Sequence, residues 1–488
     1  MLHVGDLKTI MHVPRFWSQP LHMYNNLFTR EQARKIGTCV EADPHTGSQI
    51  RGKECPVSQR TIFVGIASYR DYQCRHTVES IFNRAQYPHR IRVGVVDQIR
   101  MMQEEGDSTV QDVRCNTPLL PCTMDPTQTL CRYQNQVDIY TMDARLSVGP
   151  VFARHLQYRL YRGEYYASQS DAHVSFAENW DTDIIHQHEA THNEMAVLST
   201  YLSDVQGSLD PQTGHSLTKT RPIMCQTDFD TESVQGVHLQ HGQQPEGRPT
   251  IQGSPQLQPW WAAGYSFARG HFVVNVPYDP YSSTWIFQGE EMSIGIRGFT
   301  VGYDYYTPET SVCFHHYVTE HNNNNNKHKK DPPQQKIGDF YNDNEDKYSG
   351  TGKKAMKRLL GIVHMNPEID RSTWDHSEEE RYGVGTVRTP EQFYHYFGID
   401  VVHKKIQHHL CQLIMDNCND NDAKDGDDTT NVGDGKCWHK MVTPLLRQDG
   451  MGIDYSNFTY QWVDPDPDPE NDDGHSSSSS SNDDNEAK

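Results

Sequence analysis

The sequence lacks three features that would each point to a familiar class of protein. No run of residues approaches the roughly 20 apolar positions of a membrane-spanning helix, and the first 20 residues lack the apolar core of a signal peptide. Basic residues are outnumbered, 44 against 65 acidic ones, so a net charge of −21 disfavours a general nucleic-acid binder. We therefore expect a soluble, unsecreted, cytoplasmic chain with no membrane span and no nucleic-acid partner.

C-x-x-C pairs are also lacking, although the chain has 11 cysteines. An odd number of scattered cysteines predicts reduced thiols, as in the cytoplasm. Cys115, Cys122 and Cys131 lie close enough in sequence to leave disulfides open as the alternative. Disorder throughout the chain is disfavoured by 25 Tyr, 16 Phe and 8 Trp.

The first strong structural pattern is a strand, a helix and a second strand. TIFVGIASYRD and RIRVGVVDQ are β-branched apolar runs with polar ends, and YQCRHTVESIFNRAQ between them has apolar residues at helical spacing. A βαβ unit predicts an α/β fold, in which ligands gather at the carboxyl ends of the strands. The polar residues at those ends are Ser68, Arg70, Asp71, Asp97 and Gln98.

Further elements follow along the chain. DIYTMDA (138–144) and YYASQSDAHVSF indicate strands, and a helix is predicted through Phe152–Leu160. The segment DTDIIHQHEATH predicts a helix capped by Asp181, and Ala355–Val363 predicts another.

Asp171 and His173 follow a predicted strand. With one residue between them they point to the same face of the chain. An incomplete oxygen and nitrogen site of this kind suits Mn²⁺ or Mg²⁺ bridging to phosphates. The alternative is a polar strand end without a metal.

A competing pattern lies shortly after, in His188-Glu189-Ala190-Thr191-His192. Two histidines at i and i+4 of a helix, with Glu189 as the base, match the zinc-peptidase motif H-E-x-x-H. A catalytic zinc needs a third protein ligand, and no H-x-x-G-x-x-H extension follows. A solvated, histidine-rich helix face is the alternative.

Two later segments hold further candidates. His315 or its neighbour His316 could supply a third ligand beside Asp171 and His173, and spacing alone does not choose between them. Glu290 and Glu291 follow an aromatic run, where they could accept hydrogen bonds from a polyol or stabilise a helix N-terminus.

Several segments occur in a distinctive order along the chain: TIFVGIASYRD, RIRVGVVDQ, Gly149-Pro150-x-x-Ala153-Arg154, GEYYASQSDAHVSFAENWD, MAVLSTY, VPYDP, IFQGEEMSIGIRGFTVGYDYYTP, FHHY and RYGVGTVRTPEQFYHYFGID. This set, which covers roughly residues 60–320 and 355–400, resembles the cytoplasmic-type, hydroxyproline-directed N-acetylglucosaminyltransferases. That family acts on the adaptor subunit of SCF ubiquitin ligases and is distantly related to the mucin-type polypeptide GalNAc-transferases.

The resemblance implies a GT-A glycosyltransferase fold, with a mixed, mostly parallel sheet flanked by helices and with disordered insertions and tail. It implies UDP-GlcNAc as the donor and a divalent cation, Mn²⁺ or Mg²⁺. Asp171 and His173 match the family's D-x-H metal motif, and His315 matches the later histidine that completes the site.

Other positions are also assigned by the resemblance. Ser68, Arg70 and Asp71 fall where the first strand meets the nucleotide, followed by Asp97 on the second strand. Arg154 lies in the helix before the D-x-H strand, and the catalytic positions are Glu290, Glu291 and Asp171. Ser170 and Ala172 depart from the family pattern, which puts the choice of donor sugar in question.

The implied reaction is transfer of N-acetylglucosamine to a protein hydroxyl, that of hydroxyproline, with retention. The sequence indicates no covalent nucleophile, so we expect a same-face displacement assisted by the departing phosphate. Two alternatives stay open: a zinc metallopeptidase through His188, Glu189 and His192, and a catalytically inactive sugar-nucleotide-binding homologue.

The predicted organisation follows from composition and from the resemblance. It comprises a variable lead-in (1–60), a catalytic GT-A domain (61–320) with a loop or insertion (205–258), a low-complexity linker (321–350), a C-terminal part of the catalytic region (351–455) and an acidic, serine-rich disordered tail (456–488).

Overall fold

The computed structural model describes most of the region between residues 37 and 462. The described residues are 37–101, 112–217, 222–233, 235–241, 255–282, 286, 289–317, 340–348, 351–407, 410–415 and 438–462. The predicted disorder of the asparagine run (322–326) and of the tail from 463 onward lies outside the described residues. All elements named below precede residue 459, where contacts divide the chain into two units.

Sixteen strands are present among the described residues. They are β1 (Thr38–Ala42), β2 (Gln49–Arg51), β3 (Ile62–Tyr69), β4 (Ile91–Ile99), β5 (Val137–Asp143), β6 (Tyr166–Ser170), β7 (Val174–Phe176), β8 (Ala196–Ser199), β9 (Thr227–Asp230), β10 (His238–His241), β11 (Gln256–Gln258), β12 (Tyr265–Arg269), β13 (Asp304–Thr307), β14 (Cys313–His315), β15 (Ile399–Asp400) and β16 (Lys405–Ile406).

Twelve α-helical segments accompany them in the described part of the chain. They are α1 (Cys74–Asn83), α2 (Thr129–Arg132), α3 (Pro150–Tyr158), α4 (Trp180–Ala190), α5 (His271–Asn275), α6 (Glu290–Val301), α7 (Phe340–Tyr348), α8 (Gly352–Ile362), α9 (Glu379–Tyr382), α10 (Pro390–Tyr396), α11 (Leu410–Met415) and α12 (Trp438–Val442).

An eight-stranded mixed sheet forms the core, in the order β11-β13-β8-β12-β6-β3-β4-β5. The pairings β3–β4, β3–β6, β4–β5 and β8–β13 are parallel, and those of β12 and β11 are antiparallel. Parallel strands are covered on both faces and therefore read as continuous apolar runs. This explains IFVGI in β3 and RVGVV in β4, and the predicted α/β class with a mixed, mostly parallel sheet is confirmed.

A short two-stranded sheet lies after the central strand β6. Strand β7 pairs with β14 in antiparallel register, so that His315 lies opposite Val174. Residues that are far apart in the sequence therefore meet immediately beyond the carboxyl end of β6. The predicted helices are present as α1, α3, α4 and α8, each within a few residues of its expected bounds.

The predicted cap of α4 is wrong. The helix starts at Trp180, after a left-handed Asn179, and Asp181 lies inside the first turn. Its carboxylate is fully buried, where it pairs with Arg90 at 2.7 Å and accepts the backbone N–H of Gln86. Asp181, whose position in the sequence fits a helix cap, is therefore part of a buried ion pair. In addition, β9, β10 and β11 lie within the predicted loop at 205–258.

The prediction of reduced thiols is wrong for eight described cysteines. They form the disulfides Cys39–Cys55, Cys74–Cys115, Cys122–Cys131 and Cys225–Cys411, and Cys313 is a buried free thiol. Three of the pairs are separated by 16, 41 and 186 positions, so their pairing depends on the fold and not on local spacing. Among the described helices, none is both long and apolar enough to cross a membrane.

Candidate active site

A cavity of about 670 Å³ opens at the carboxyl ends of the central parallel strands. Tyr69 from the end of β3 and Gln98 from β4 line one side. Much of the remaining wall comes from the start of α3, the segments after β6 and β8, the residues before β12, the start of α6, the end of β14 and the start of α7. This is the position that ligands occupy in open α/β sheets, as the sequence analysis expects.

Asp171, His173 and His315 converge in this cavity. One possible ligand atom from each of the three lies within 4.8 Å of the others. The rings of His173 and His315 meet edge to face with centroids 4.4 Å apart, and Nε2 of His315 lies 3.9 Å from Oδ2 of Asp171. One carboxylate oxygen and two imidazole nitrogens, with the cavity beside them, form a donor set that fits a cation such as Mn²⁺.

The choice between the two adjacent histidines follows from the register of β14. His315 lies in the cluster, whereas Nε2 of His316 lies 2.8 Å from the hydroxyl of Ser175. Burial lowers the pKa of His315 to about 4, and the nearby His173 adds to this effect. The imidazole of His315 is therefore neutral at pH 7, the form that binds a metal.

Charged neighbours keep Asp171 ionised. Burial raises the pKa of its carboxyl, but the interactions with Arg154, His173 and His315 outweigh burial and hold the pKa below its ordinary value. Burial alone would lower the pKa of His173, yet its hydrogen bond to Asp71 and the charges of Asp71 and Asp171 raise it. Asp171 therefore presents an ionised carboxylate beside the two imidazoles.

Arg154 connects the two acidic parts of the site. From α3, its Nη2 donates to Oδ1 of Asp171 at 2.8 Å, and its Nε pairs with Oε1 of Glu290 at 2.8 Å. The guanidinium is 6% exposed, and its Nη1 has no hydrogen-bond partner among the described residues. Arg154 thus lines the cavity with one buried donor that has no partner among the described residues.

Glu290 and Glu291 line the cavity from the start of α6. Burial raises the pKa of each carboxyl to about 7, against the opposing effect of Arg154. The hydroxyl of Tyr278 donates to Glu290. Both acids also lie in the first turn of a helix. The two predicted roles, facing a ligand and stabilising a helix N-terminus, are therefore compatible.

Three predicted nucleotide-binding residues do not line the cavity. Ser68 and Asp97 are buried and paired in register on the opposite side of the sheet from Tyr69 and Gln98. Burial raises the pKa of Asp97 to about 6. Neighbouring side chains of a strand point to opposite faces of the sheet. A run of polar residues at a strand end therefore does not show which of them face the cavity.

Arg70 is the third of these residues. Its Nε pairs with Asp112 at 3.2 Å, and its Nη1 pairs with Asp343 of α7 at 2.6 Å. The adjacent Tyr69 packs edge to face on Phe340, with centroids 5.5 Å apart. The end of β3 therefore anchors α7, whose Phe340 and Tyr341 line the cavity.

In the competing HEATH motif, His188 is buried whereas Glu189 and His192 are exposed, and the motif has no metal-site geometry. Nε2 of His188 lies 3.1 Å from the carbonyl oxygen of Ala196. Glu189 binds Arg60 and the hydroxyl of Tyr166. Because α4 ends at Ala190, His192 lies beyond the helix with a left-handed φ of 52°. The i, i+4 arrangement needed for zinc is absent here, and the interpretation as a zinc site is wrong.

Several contributors to the site are missed by sequence reasoning. Gly264 lies against Asp171, where a Cβ atom would come within 3.0 Å of Oδ2. Thr77 and Tyr278 make hydrogen bonds to the site from α1 and from the VPYDP turn. The departures Ser170 and Ala172 are buried, and the Ser170 hydroxyl donates to the carbonyl oxygen of Asp171. Only the position of Tyr278 within VPYDP carries a sequence signal.

Comparison with known proteins identifies the family. A family model described as glycosyltransferase (GlcNAc) matches residues 61–403, well over half of the chain. No curated protein matches the sequence. The match includes β3 to β6, the metal-type cluster and both acids of α6.

Similar solved structures are distant. They include GalNAc-T7 with UDP, GalNAc and Mn²⁺ (14% identity, TM-score 0.40, covering 76% of this chain and 63% of that one). Staphylococcus aureus TarS has 10% identity and a TM-score of 0.33, covering 69% of this chain and 42% of that one. This chain thus spans less than two thirds of either. Their similarity is too low to support any inference about function.

The sheet topology and the family match together confirm the predicted GT-A class of α/β fold. The converging acid and histidines at the strand ends lie within the residues that the family model matches. The chain belongs to the glycosyltransferase (GlcNAc) family.

Proposed function

We propose that this glycosyltransferase transfers N-acetylglucosamine from UDP-GlcNAc to a protein hydroxyl in a metal-dependent reaction. The observation that carries the proposal is the convergence of Asp171, His173 and His315 in a cavity at the strand ends. The family description names GlcNAc, which favours this sugar over others.

Asp171, His173 and His315 would hold the cation, with Mn²⁺ favoured and Mg²⁺ as the alternative. When bound, the cation neutralises charge that develops on the leaving diphosphate. The remaining ligands would come from phosphate oxygens and water, because three protein ligands leave coordination positions open.

Arg154 would add a second positive charge at the diphosphate. Its Nη1 has no hydrogen-bond partner among the described residues, while its other nitrogens hold Asp171 and Glu290. A guanidinium that is fixed by two carboxylates donates to a phosphate oxygen without losing additional side-chain freedom.

Glu290 and Glu291 would bind the sugar hydroxyls and the acceptor. Glu290 is already engaged by Arg154 and Tyr278, which disfavours it as a covalent nucleophile. We therefore favour retention through a same-face displacement. In that step the bond from the anomeric carbon to the UDP oxygen breaks, the bond to the acceptor oxygen forms, and the acceptor proton passes to the departing phosphate.

Hydroxyproline in a protein remains our leading acceptor, on the resemblance. The four disulfides favour an oxidising compartment over the cytoplasm. Because an SCF adaptor subunit is cytoplasmic, we favour a hydroxyproline-containing protein that meets the enzyme in the oxidising compartment.

Thiol counting tests the compartment. With eight of the 11 cysteines paired, no more than three thiols per chain should react with an alkylating reagent after denaturation of protein isolated from its native cells. Eleven reactive thiols would return the protein to a reducing compartment and restore the SCF adaptor as a candidate.

A panel of UDP-sugars with Mn²⁺, with and without a hydroxyproline peptide, tests the activity. We expect turnover of UDP-GlcNAc and its loss in Asp171→Ala and His173→Ala. Metal-dependent binding of UDP-GlcNAc without hydrolysis or transfer would instead identify a catalytically inactive homologue. No metal-dependent binding of any UDP-sugar would contradict the proposal.

A further inference from the structure

The start of α1 lies against the metal-type cluster without supplying a ligand to it. We propose that this helix start is a positioning element, in which Asp71 orients the imidazole of His173 and Thr77 fixes the backbone on both sides of that residue. The inference rests on the proposed metal-dependent function. It assigns Asp71 a role in holding a ligand, in place of the nucleotide contact that the sequence suggests.

Asp71 uses both of its carboxylate oxygens within the fold. The side chain is 3% exposed. Its Oδ1 accepts the backbone N–H of Gln73 at 2.8 Å, and its Oδ2 lies 2.6 Å from Nδ1 of His173. A carboxylate can only accept, so the proton of a neutral imidazole lies on Nδ1. This leaves the lone pair of Nε2 for a cation.

Thr77 contacts the main chain around the same histidine. Its hydroxyl donates to the carbonyl oxygen of Ala172 at 2.7 Å and lies 3.0 Å from that of Val174. It also accepts the backbone N–H of Val174 at 3.0 Å. Because Thr77 is only 1% exposed, water cannot replace these bonds. The residues before and after His173 are therefore held by one buried hydroxyl.

The helix start is itself braced against the sheet. Cys74, the first residue of α1, forms a disulfide with Cys115, whose backbone N–H donates to Oδ2 of Asp97 on β4. Asp71 lies three residues before the first residue of α1, and Thr77 lies in its first turn, so both flank the position that the disulfide fixes. The contacts to His173 thus depend on a helix start that is covalently fixed.

Direct Mn²⁺ binding is the appropriate measurement, since it does not depend on turnover. We expect Asp71→Asn and Thr77→Val to weaken Mn²⁺ binding about 10- to 100-fold in an electron paramagnetic resonance titration of the full chain with UDP. Asparagine has nearly the shape of aspartate but presents an amide group to Nδ1. Valine has the shape of threonine without the hydroxyl.

Two further variants separate positioning from general damage. Thr77→Ser keeps the hydroxyl and should bind Mn²⁺ within about threefold of wild type. Thr300→Val is the matched control, because Thr300 is also buried and helical, and its hydroxyl bonds the carbonyl of Arg297 and the N–H of Gly385. It should lower the melting temperature while leaving Mn²⁺ affinity unchanged.

The tautomer of His173 gives a readout that no metal affects. In the metal-free protein, at a pH where the imidazole is neutral, ¹⁵N chemical shifts should show the proton on Nδ1, and Asp71→Asn should shift it toward Nε2. Wild-type affinity in both Asp71→Asn and Thr77→Val, a Thr77→Ser variant as weak as Thr77→Val, or a wild-type proton on Nε2 would each overturn the inference. Absence of Mn²⁺ binding in wild type would contradict the proposed function, and the tautomer would still decide the inference.

Discussion

Two short segments of this chain each combine an acid with histidine, and they serve different purposes. Asp171-Ala172-His173 follows β6, and the side chains of its acid and histidine are 25% and 26% exposed in the cavity. In HEATH, His188 is 3% exposed and Glu189 joins α4 to Arg60 and Tyr166. HEATH, the longer motif, has a structural role. Asp171 and His173 instead lie where the fold brings a third ligand candidate, His315, beside them.

Convergence of residues that are distant in sequence, and not the length of a motif, makes a metal-type site. His315 lies 142 positions after His173, yet the pairing of β7 with β14 places the two rings in contact. HEATH has no such partner among the described residues, because its second histidine lies past the end of the helix.

Removing the acid of the cavity motif should have the largest effect. Asp171→Ala removes a ligand and frees Arg154 from one of its two carboxylates, so kcat/KM with UDP-GlcNAc and saturating Mn²⁺ should fall by at least about 100-fold. Initial rates of UDP release measure this. Glu189→Gln is the matched change in HEATH and should keep the rate within about twofold. The reverse ranking would restore the peptidase interpretation.

Crowding the cavity motif should have a smaller effect. In Gly264→Ala the new methyl would lie about 3.0 Å from Oδ2 of Asp171, so the carboxylate must shift by a few tenths of an ångström. We expect the Mn²⁺ concentration at half-maximal rate to rise about 10-fold. Gly295→Ala is the control, since its methyl would meet Trp261 at an ordinary 3.8 Å. An unchanged Mn²⁺ requirement in Gly264→Ala would show that Asp171 tolerates displacement.

Glu291, which lines the cavity, and Glu189 of HEATH should affect the free energy of unfolding with opposite dependence on pH. Burial raises the pKa of Glu291 to about 7 from its ordinary 4.5. The stability linked to this group is therefore present below about pH 4.5 and lost as pH rises to about 7. Burial also raises the pKa of Glu189, but His188, Tyr166 and Arg60 outweigh it and lower the pKa, so its contribution is present above 4.5 and lost in acid.

Denaturant unfolding from pH 4 to pH 8 measures this contrast. Relative to wild type, Glu291→Gln should gain free energy of unfolding on going to pH 8, by roughly 1 kcal/mol or more. Glu189→Gln should change in the opposite direction. Parallel pH profiles for the two variants would contradict the assigned environments.

The smallest expected effect belongs to HEATH alone. Glu189 is about half exposed and forms one ion pair with Arg60, so Glu189→Gln should lower the free energy of unfolding at pH 7 by no more than about 1 kcal/mol. A melting temperature reduced by a few degrees, with normal Mn²⁺ binding, is the expected result. Loss of Mn²⁺ binding in this variant would place a metal in HEATH.

Much of the fold could be predicted because its information is local. Three elements are indicated by short stretches of consecutive residues. These are the apolar run of β3, the helical spacing of Val78, Ile81 and Phe82 in α1, and the apolar run of β4. The three ligand candidates could also be named, although the choice of His315 over His316 came from the resemblance and not from spacing.

The rest depends on information that is not local. Ser68 and Asp97 occupy strand ends, as expected, but the register of the sheet directs them away from the cavity. Cys225 and Cys411 are 186 positions apart, so their pairing needs the folded chain. Thr77 resembles any helical threonine until the main chain beside His173 is placed against its hydroxyl.

Titration of Mn²⁺ in the presence of UDP tests where the metal binds, because one histidine of the metal-type cluster and one histidine of HEATH can each be replaced. His315→Ala should weaken binding by at least about 100-fold. His192→Asn, which suits the left-handed backbone at that exposed position, should bind one Mn²⁺ per chain as wild type does. Unchanged binding in His315→Ala, or its loss in His192→Asn, would contradict the assignment of the metal site to Asp171, His173 and His315.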